Sequence, residues 1–488
     1  MSGDHEDPPS TYLGRRGYTI RKDSITVKEQ QWIREELNVR PYLPKAPVQP
    51  PAFPVYRESG SKLYVPRHFG IETYGPADAM QISPGEDISL RFNGGLRDYQ
   101  EKIVKAYNGC LDKETGGGGL LEVPCGRGKT VIALNIIAML KKKTLVVVHK
   151  AFLMNQWIER IEQFLPGAKI GRIQGPTVDI EGKDIVIGML QSLSMKEYAD
   201  GTFSSFGLTI VDECHHISSE VFCRSLLKIV TKYTLGLSAT MQRKDGLTPV
   251  FKMFLGEIAY KEVRRKGDPV TVKALEYVST DPEFNEQITD YRGNPAYSPM
   301  ITKLCDQGQR SEFILKALKQ EMSELEGQQT MILSQNKSLL SYLYRAIEHR
   351  GLGTVGYYVG GMKENDLKKT EGCDIILATY AMAAEALDIK TLTSLFLATP
   401  RTDVRQAVGR ILRVAHARPL VVDIVDTHDV FQRQWEKRRA YYRKQGYSIQ
   451  KIDSPRYPGG VWEKDDPKSR ASGRSKKSLP KGQCLIQL

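Results

Sequence analysis

The stretch LLEVPCGRGKT, residues Leu120 to Thr130, decides the fold: an apolar run gives way to a glycine loop that ends in Gly128-Lys129-Thr130. Residues Leu120 to Val123 are predicted to form a buried strand, and the apolar run after Thr130 has the length of a helix. Such a loop is typical of a phosphate site, because its N–H groups and the positive end of the helix both face the anion. Lys129 adds a positive charge, and the Thr130 hydroxyl suits Mg²⁺.

The loop and the residues around it form the predicted ATP site. The phosphate-loop pattern has a glycine five residues before Gly128, where this chain has Val123, so a chance Gly-Lys-Thr in an ordinary strand–turn–helix is the alternative. Upstream, the amide of Gln100, in LRDYQ, offers both a donor and an acceptor to an adenine edge, unless LRDYQ is only an amphipathic helix start. The predicted ATP-binding residues are Arg97, Gln100, Val123, Pro124, Cys125, Gly126, Arg127, Gly128, Lys129 and Thr130.

Length and composition limit the classes of protein that fit. The chain has 488 residues, enough for two or three domains, and its 40% apolar and 26% charged content is typical of a folded protein. The net charge of +13 favours a polyanionic partner, nucleic acid before membrane, with plain solubility as the alternative. Seven cysteines without a Cys-x-x-Cys pair argue for a reducing compartment. Without a signal peptide or a membrane-spanning apolar run, we expect a soluble intracellular protein with no membrane partner.

Short apolar strands alternate with helices in two blocks. TLVVVH, DIVIGM, GLTIV and YTLGLSAT form the first block, and TMILSQ, TVGYYVG, DIILAT, SLFLAT and PLVVDIVD form the second. Gly116 to Gly119 is predicted to be a loop, Lys261 to Pro269 is a polar and charged segment, and the stretch that follows it through Pro299 is predicted to be irregular. The alternation predicts an α/β protein with two parallel sheets covered by helices. The predicted domains are an accessory domain (1–90), a first lobe (91–262), a second lobe (263–450) and a disordered basic tail (451–488).

Two segments outside this alternation combine aromatic and basic residues. In residues 1–90 such residues either stack on bases or build a small core. The segment Phe431 to Lys444, FQRQWEKRRAYYRK, suits either a phosphate backbone or an exposed bundle helix. The sequence leaves both pairs of alternatives open.

Two adjacent carboxylates, Asp212 and Glu213, follow the apolar strand GLTIV. A phosphate loop needs such a partner, in which one carboxylate holds Mg²⁺ and the next activates the attacking water. A surface turn is one alternative, and another is a zinc site built from Cys214, His215, His216 and Cys223. Their spacing matches no usual zinc pattern. Ser238 and Thr240 end the next strand, where small hydroxyls are able to hydrogen-bond the carboxylate loop.

The second block contains no glycine loop that ends in Gly-Lys-Thr, so its contribution must come from other residues. Arg410 and Arg413 lie three apart in a predicted helix, with Gln406 one turn earlier on the same side. Two guanidiniums from a separate lobe are able to stabilise transition-state charge on a γ-phosphate. A solvated basic helix face is the alternative.

In chain order, LRDYQ, VPCGRGKT, DECHH, SAT and QAVGRILR resemble the Q motif and motifs I, II, III and VI of superfamily 2 helicases, over about Leu96 to Arg413. Further phrases, among them RKDGL after GLSAT and AEALDI after AT, are similar to the transcript-release helicase of poxviruses and its relatives in other large DNA viruses. GYTIRKDSITVKE and LYVPRHFG near the N-terminus are similar to the same viral proteins. Two residues depart from the family pattern: Met241 stands at a customary proline and Ala386 at a customary glycine.

The resemblance implies two RecA-like lobes with ATP between them, and it implies roles for individual residues. The catalytic residues would be Glu213, Gln406, Arg410 and Arg413. The Mg²⁺ ligands would be Thr130 and Asp212. Hydrolysis would be coupled to strand movement by His215, Ser238, Thr240 and Asp388. Nucleic acid would be contacted by Lys150, Gln191, Ser192, Arg243, Lys244 and Thr379.

The function implied is an ATP-dependent nucleic-acid translocase or helicase that acts on DNA or a DNA–RNA hybrid. Transcript release in viral transcription, and recombination or repair, are the expected settings, with a viral RNA polymerase as partner by family analogy. Such a protein would work in the host cytoplasm, at the viral factory, and in the virion. An RNA helicase and a non-catalytic nucleic-acid-binding virion component are the alternatives.

Overall fold

A computed structural model describes residues 9–42, 48–124, 126–214, 220–241, 245–262, 270–324, 327–385, 389, 391–409, 411 and 418–465. The chain divides into two compact units, Met1–Val263 and Arg264–Leu488. In each unit a mainly parallel sheet lies among helices, so the predicted fold class, α/β with two RecA-like lobes, is confirmed. All nine apolar strands predicted above are strands of these two sheets. No helix of the described residues is both long and apolar enough to cross a membrane.

The first unit begins with a small domain, here called the accessory domain, built on a five-stranded sheet in the order β5-β6-β2-β1-β7. One face of the sheet packs against two helices, and aromatic residues such as Tyr18, Phe53 and Phe69 are buried in the core. Most aromatic residues here therefore build a core, one of the two alternatives. The elements are β1 (Thr11–Gly14), β2 (Gly17–Arg21), α1 (Val27–Glu36), β3 (Asn38–Val39), β4 (Phe53–Pro54), β5 (Arg57–Glu58), β6 (Lys62–Val65), α2 (Arg67–Tyr74) and β7 (Ala79–Met80).

The rest of the first unit is a nine-stranded sheet in the order β12-β11-β13-β10-β14-β15-β9-β16, with β8 paired to β9. All neighbours are parallel except the pairs β11–β12 and β8–β9. The elements are α3 (Asp98–Asn108), β8 (Leu111–Asp112), β9 (Gly116–Glu122), α4 (Lys129–Leu140), β10 (Thr144–Val148), α5 (Ala151–Phe164), β11 (Ile170–Gln174), β12 (Thr177–Val178), β13 (Ile185–Met189), α6 (Leu190–Met195), β14 (Leu208–Val211), α7 (Glu220–Leu226), β15 (Tyr233–Ser238), α8 (Thr248–Leu255) and β16 (Ile258–Lys261).

The glycine run before the phosphate loop is a strand, so its prediction as a loop is wrong. Gly116 to Gly119 are the first four residues of β9, and all four are buried. A Cβ at Gly118 would lie 1.9 Å from Thr234 Oγ1 and 2.6 Å from the Leu255 carbonyl oxygen. The glycines are thus required by close packing against β15 and the end of α8, which local sequence signals do not reveal.

Arg67 of α2 joins the accessory domain to the large sheet. Its guanidinium is buried, and it donates to the Lys232 carbonyl oxygen (2.7 Å) and the Thr115 carbonyl oxygen (2.5 Å). These carbonyls stand directly before β15 and β9. Burial lowers the pKa of Arg67 to about 10. The guanidinium remains charged at neutral pH and satisfies two carbonyls at the starts of neighbouring strands.

The second unit contains an eight-stranded sheet in the order β19-β20-β18-β21-β22-β17-β23-β24, parallel except for the pair β23–β24. The elements are β17 (Thr271–Tyr277), α9 (Pro282–Asn285), α10 (Tyr297–Asp306), α11 (Gly308–Glu324), β18 (Gln329–Ser334), α12 (Lys337–His349), β19 (Val355–Tyr358), α13 (Glu364–Thr370), β20 (Ile375–Thr379), α14 (Tyr380–Glu385), β21 (Leu392–Leu397), α15 (Arg405–Val408), β22 (Leu420–Asp426), α16 (Asp429–Gln445), β23 (Ser448–Asp453) and β24 (Glu463–Lys464).

Two sequence expectations about this unit are wrong. The stretch predicted to be irregular contains β17, which pairs with β22 on one side and β23 on the other. The tail predicted to begin at 451 begins later, because β23 runs to Asp453 and both Ile452 and Tyr457 are buried in the core. β17 contains Lys273 and Glu276, and β23 contains Lys451 and Asp453, and these charges hid both strands from a search for continuous apolar runs. Residues 466–488 lie outside the described residues.

The basic segment Phe431 to Lys444 lies within α16, which packs one face into the core, and binding of a phosphate backbone by its other face stays a prediction. One face of the helix buries Phe431, Trp435, Arg438 and Tyr442. The aromatic residues between the charges are therefore core residues at helical spacing.

Two buried arginines hold the carboxylates of β22. Arg438 pairs with Asp423 through two hydrogen bonds of 2.8 Å. Arg310 of α11 pairs with Asp426 in the same bidentate manner, at 2.6 and 2.8 Å. Arg438 also donates to the carbonyl oxygen of Arg401 (2.7 Å), which stands in the loop before α15. These pairs fix the loop that leads to the helix of Gln406.

We predict that residues 451–467 are needed for the stability of the second unit. A chain ending after Gln450 loses Ile452 and Tyr457 from the core, and each large buried side chain is worth on the order of 3 kcal/mol. Its melting temperature, measured by differential scanning fluorimetry, should be well below that of a chain ending after Pro467. Equal melting temperatures for these two shortened chains would contradict the placement of β23 in the sheet.

Candidate nucleotide-binding site

Three parallel neighbours, β14, β15 and β9, end at one edge of the first sheet. The phosphate loop follows β9, Asp212 follows β14, and the Ser238 strand end lies between them. The Val123 N–H donates to the carbonyl oxygen of Ser238 (2.9 Å), and the Asp212 N–H donates to that of Val147 (3.0 Å). The sheet therefore brings the predicted phosphate loop and the predicted acidic pair together, as expected for parallel strands.

The phosphate loop bends at two glycines in the left-handed region, with φ of +81° at Gly126 and +77° at Gly128. Gly128 caps α4, so Lys129 and Thr130 are its first two residues. A Cβ at Gly128 would lie 2.5 Å from the Nε2 of Gln100, so glycine is needed there for space as well as for φ. This arrangement directs the start of α4 at the loop, as an anion site requires. Cys125 lies outside the described residues.

Gln100 holds the loop against α3. Its Nε2 donates to the carbonyl oxygen of Arg127 (3.1 Å), and its Oε1 accepts from the N–H of Arg97 (3.0 Å). The side chain is buried, with 5% exposure. Both ends of the amide thus have protein partners, and a contact of Gln100 with adenine stays a prediction.

Arg127, predicted to bind ATP, is held by two side chains that the sequence analysis missed. Its guanidinium carbon lies 3.8 Å from the centre of the Tyr99 ring, and its Nε donates to Glu262 Oε1 (2.8 Å). Glu262 follows β16 directly and is mostly buried. The phosphate loop is therefore tied to the last described residue before the second unit. No local signal connects positions 127 and 262, because only the pairing of β16 with β9 brings them together.

The acidic pair and the loop lysine form one charged cluster. Lys129 Nζ lies 3.2 Å from Glu213 Oε1. Asp212 is buried, and its Oδ1 accepts from the Glu213 N–H (2.9 Å). Burial, and then the charge of Glu213, raise the pKa of Asp212 to about 6. Glu213 itself has φ of +48°, a strained conformation for a residue with a side chain, and such strain is often found at functional sites.

Trp157 of α5 orients Asp212, and sequence reasoning missed it. The indole Nε1–H donates to Asp212 Oδ2 at 2.8 Å, and the ring is 1% exposed. In the sequence Trp157 is one of the apolar residues at helical spacing in α5, which predict only a core face. Asp212 Oδ1 and Oδ2 each accept one hydrogen bond, so the carboxylate has a fixed orientation.

The residues at this edge fit a magnesium ion. Mg²⁺ prefers oxygen ligands, usually one or two carboxylates together with substrate phosphates. Asp212 is a buried carboxylate whose pKa is raised by burial and by the charge of Glu213, so a cation beside it would stabilise its charged form. Thr130, in the first turn of α4, offers a hydroxyl. The zinc alternative receives no support from Cys214, which is buried with its Sγ 3.7 Å from Met241 Sδ, while His215 and His216 lie outside the described residues.

The predicted coupling residues are described only in part. Ser238 Oγ donates to the Thr240 carbonyl oxygen (2.6 Å) and accepts from the Thr240 N–H (3.1 Å), so the two residues form a tight turn beside the carboxylate loop. His215 and Asp388 lie outside the described residues. Their coupling roles stay predictions.

Three predicted nucleic-acid contacts lie together at the ends of β10 and β13. Lys150 caps α5, and burial lowers its pKa. Gln191 Nε2 donates to the carbonyl oxygen of His149 (3.2 Å), and Ser192 Oγ accepts from the N–H of Gly175 (2.9 Å). Arg243 and Lys244 lie outside the described residues.

The structure describes two of the site residues that the sequence analysis predicted in the second unit. Thr379 ends β20, and Gln406 lies half-buried in α15. Arg410 and Arg413 lie outside the described residues, so their catalytic roles stay predictions.

A glycine loop that opens a helix, beside an acidic pair at the tip of a parallel strand, defines a phosphate-loop nucleotide hydrolase of RecA-like fold. Residues 93–243 match the family model described as Type III restriction enzyme, res subunit.

Similarity to viral proteins extends over most of the chain. A protein of Acanthamoeba polyphaga mimivirus named as an ATP-dependent RNA helicase is 36% identical over 461 residues, which cover 90% of this chain and 86% of the relative. A helicase of Invertebrate iridescent virus 6 is 26% identical over 373 residues, covering 74% of this chain and 83% of the relative. An African swine fever virus protein named as an ATP-dependent RNA helicase is 28% identical over 391 residues, covering 74% and 75%.

The chain belongs to the superfamily 2 helicases of the type found in large nucleocytoplasmic DNA viruses. It is an ATP-hydrolysing helicase, and proteins of this family bind nucleic acid.

The raised pKa of Asp212 predicts how stability depends on pH in the absence of metal and nucleotide. Its pKa is about 6 in the folded state and about 3.9 when unfolded, so the carboxylate destabilises the fold increasingly as pH rises through this window. Asp212→Asn should therefore raise the melting temperature at pH 7.5 in EDTA. The corresponding gain in the free energy of unfolding is on the order of 2 kcal/mol. The gain should disappear below about pH 4.

The control for this measurement is Asp200→Asn, an exposed carboxylate of the same unit, which should show no such gain. With Mg²⁺ and ATP added, the wild type should have a higher melting temperature than the Asp212→Asn variant, because the cation stabilises the carboxylate. A wild-type protein that is the more stable of the two at pH 7.5 in EDTA would contradict the assignment.

The contact between Arg127 and Glu262 predicts a specific change in kinetics. Glu262→Gln should raise the KM for ATP about fivefold with little change in kcat, because a half-exposed ion pair is worth on the order of 1 kcal/mol and the loss falls on ground-state binding. Exchanging the two residues, Arg127→Glu with Glu262→Arg, should bring the KM for ATP part of the way back to the wild-type value. Lys261→Gln, which removes the neighbouring exposed pair with Glu122, is the matched control. An unchanged KM in Glu262→Gln would show that the pair does not hold the loop.

Proposed function

We propose that the protein is an ATP-driven translocase that acts on DNA during transcription in a large DNA virus, where it releases transcripts from stalled polymerase. Recombination or repair is the second setting in which the same motor would serve. The observation that carries the proposal is the cluster of Lys129, Glu213 and Asp212 at the mouth of the phosphate loop. A non-catalytic nucleic-acid-binding component of the virion would have no need of this buried and strained cluster.

In the proposed mechanism each residue of the cluster has one task. Lys129 binds the β- and γ-phosphates, which take the place of Glu213 as its partner. Glu213, freed from this ion pair, orients the attacking water and accepts its proton. Trp157 and the Glu213 N–H fix the orientation of the Asp212 carboxylate, which with Thr130 would hold the Mg²⁺ ion. Bound Mg²⁺ supplies neutralisation of the phosphate charge.

The second lobe completes the proposed site with arginines. Arg410 and Arg413 stabilise the charge that develops on the γ-phosphate, with Gln406 beside them. Arg438, buried against Asp423, holds the loop that precedes the helix of Gln406. Hydrolysis would then depend on arginines that a separate unit contributes.

Two relatives favour RNA as the second candidate substrate. The mimivirus and African swine fever virus proteins carry the name RNA helicase, whereas the motif resemblance favours DNA or a DNA–RNA hybrid. ATPase activity should be compared with duplex DNA, single-stranded DNA, a DNA–RNA hybrid and duplex RNA. Highest stimulation by duplex RNA would contradict the DNA assignment.

The proposed partner and location follow from the proposed role in viral transcription. A viral RNA polymerase would be the partner, and the viral factory in the host cytoplasm and the virion would be the sites of action. Release of RNA from stalled elongation complexes, with and without ATP, tests this role. A protein that hydrolyses ATP on DNA but releases no transcript would belong to recombination or repair.

The arginine assignment predicts the loss of turnover without the loss of binding. Arg410→Ala should lower nucleic-acid-stimulated ATPase activity on the order of a thousandfold, since an arginine finger contributes this much to phosphoryl transfer. Its affinity for DNA should barely change. Arg405→Ala, five positions earlier in the sequence and paired with Asp403 (2.6 Å), is the matched control and should retain most of its activity. Retained turnover in Arg410→Ala would refute the assignment.

A further inference from the structure

The outward face of the accessory sheet carries a row of polar and aromatic side chains. Thr19 pairs across the strands with Tyr12 and Tyr64, and Tyr64 pairs with Arg57. Directly opposed residues of antiparallel strands point to the same side of a sheet. The alternate residues of these strands, such as Leu13, Ile20 and Leu63, point into the core. The row of four therefore lies on the side of the sheet away from the core.

Two further cations, Arg16 and Lys62, lie over the aromatic rings of this row. Together with the four residues of the row they form what is here called the cationic face, whose three positive charges are Arg16, Arg57 and Lys62. The guanidinium carbon of Arg16 lies 5.2 Å from the centre of the Tyr64 ring. Lys62 Nζ lies 5.1 Å from the centre of the Tyr12 ring and donates to its hydroxyl (3.1 Å). Arg57 is Tyr64's neighbour on the adjoining strand. The rings thus form the floor of the cationic face, and the charges lie above them.

The positive charges of the cationic face are only partly balanced, because Glu197 acts on Arg57 but is itself paired with Lys228 at 3.2 Å. Partial burial lowers the pKa of Arg57, the charge of Glu197 opposes this, and the positive charge of Arg16 adds to the lowering. Two positive charges near one ring are stable only at a cost that a bound anion would remove. The described ion pairs of this domain are formed by other cations: Arg15, Arg21, Lys22 and Arg34.

A buried hydroxyl lies beneath the cationic face. Thr19 is 1% exposed, and its Oγ1 has no hydrogen-bond partner among the described residues. It lies between Tyr12 and Tyr64 in the row. The hydroxyl is covered by its neighbours, so it lies beneath the surface of the cationic face, and the cations are the groups that a ligand would contact.

We propose that the cationic face binds the phosphodiester backbone of the nucleic acid on which the motor acts. The inference rests on the proposed function, since it takes the anion to be the motor's own track. The Tyr64 ring is 8% exposed beneath Arg16, so the face offers charges to phosphates and no open ring to bases. Binding there is accordingly independent of base sequence and strongly dependent on salt.

The test uses the full chain with the three cations replaced: Arg16→Gln, Arg57→Gln and Lys62→Gln. The slope of log affinity against log salt concentration should become shallower by about 2.7 for duplex DNA and about 2.1 for single strands, since each lost phosphate contact removes about 0.9 or 0.7. Affinity at 0.1 M salt should fall by at least about tenfold. Basal ATPase activity without nucleic acid should stay unchanged, because the face contains none of the residues of the nucleotide site.

A matched control removes the same charge from elsewhere in the first unit. Lys28→Gln, Arg40→Gln and Lys113→Gln are exposed substitutions outside the cationic face, and together they should leave the slope unchanged. An equal loss of slope in this control, or no loss in the test variant, would overturn the inference while the proposed function stands. If the wild-type protein itself binds no nucleic acid, the proposed function fails and the inference with it.

Two further measurements keep the test decisive. Should the triple variant melt at a lower temperature than the wild type, Arg57→Gln and Lys62→Gln are measured singly, and each should remove about 0.9 from the slope on duplex DNA. Duplex RNA and duplex DNA are compared to identify the backbone. A variant that keeps its slope on nucleic acid but no longer binds immobilised polyglutamate would mark the face as a docking surface for an acidic protein, against the inference.

Discussion

The parallel pairing of β9, β15 and β14 is the constraint on which the site depends. Because neighbouring strands run in one direction, the loop with Lys129 and the turn with Asp212 and Glu213 emerge at the same edge. Opposite charges then meet in a largely buried space, where their interaction is stronger than in water. Glu213 has a positive φ at this edge, and burial, together with the charge of Glu213, raises the pKa of Asp212. A different strand order would leave each motif intact but would place Lys129 away from Asp212 and Glu213.

Local sequence patterns predicted the parts of the site that are continuous in the chain. The strand, loop and helix from Leu120 onward are where the pattern of apolar residues and glycines placed them, and the carboxylates follow their strand as expected. The partners of these groups could not be predicted in this way. Trp157 looks like a core residue of α5, and Glu262 like a surface charge, until the sheet brings them to Asp212 and Arg127. Sheet order is a long-range property that no single segment contains.

The basic composition indicated a nucleic-acid partner, in agreement with the relatives, but it does not show which cations are free to contact one. Arg310 and Arg438 are buried against carboxylates of β22, and Arg439 and Arg443 both bind Asp465. Burial opposes the charge of Asp465, but the hydrogen bonds from these two arginines outweigh it and lower its pKa to about 2. A net charge therefore describes the whole chain and says little about which cations face solvent. The groups available to a polyanion have to be found from register and from ion pairing, as at Arg16, Arg57 and Lys62.

The hydrogen bonds of Arg67 bear on how the chain folds. A recombinant ATPase lobe that starts at residue 91 would lack the guanidinium that caps the carbonyls of Thr115 and Lys232. Two adjacent strands would then begin with exposed acceptors, beside an apolar surface from which α2 has been removed. The N-terminal domain is thus an integral part of the first folding unit, and its loss would be felt in the strand that carries the phosphate loop.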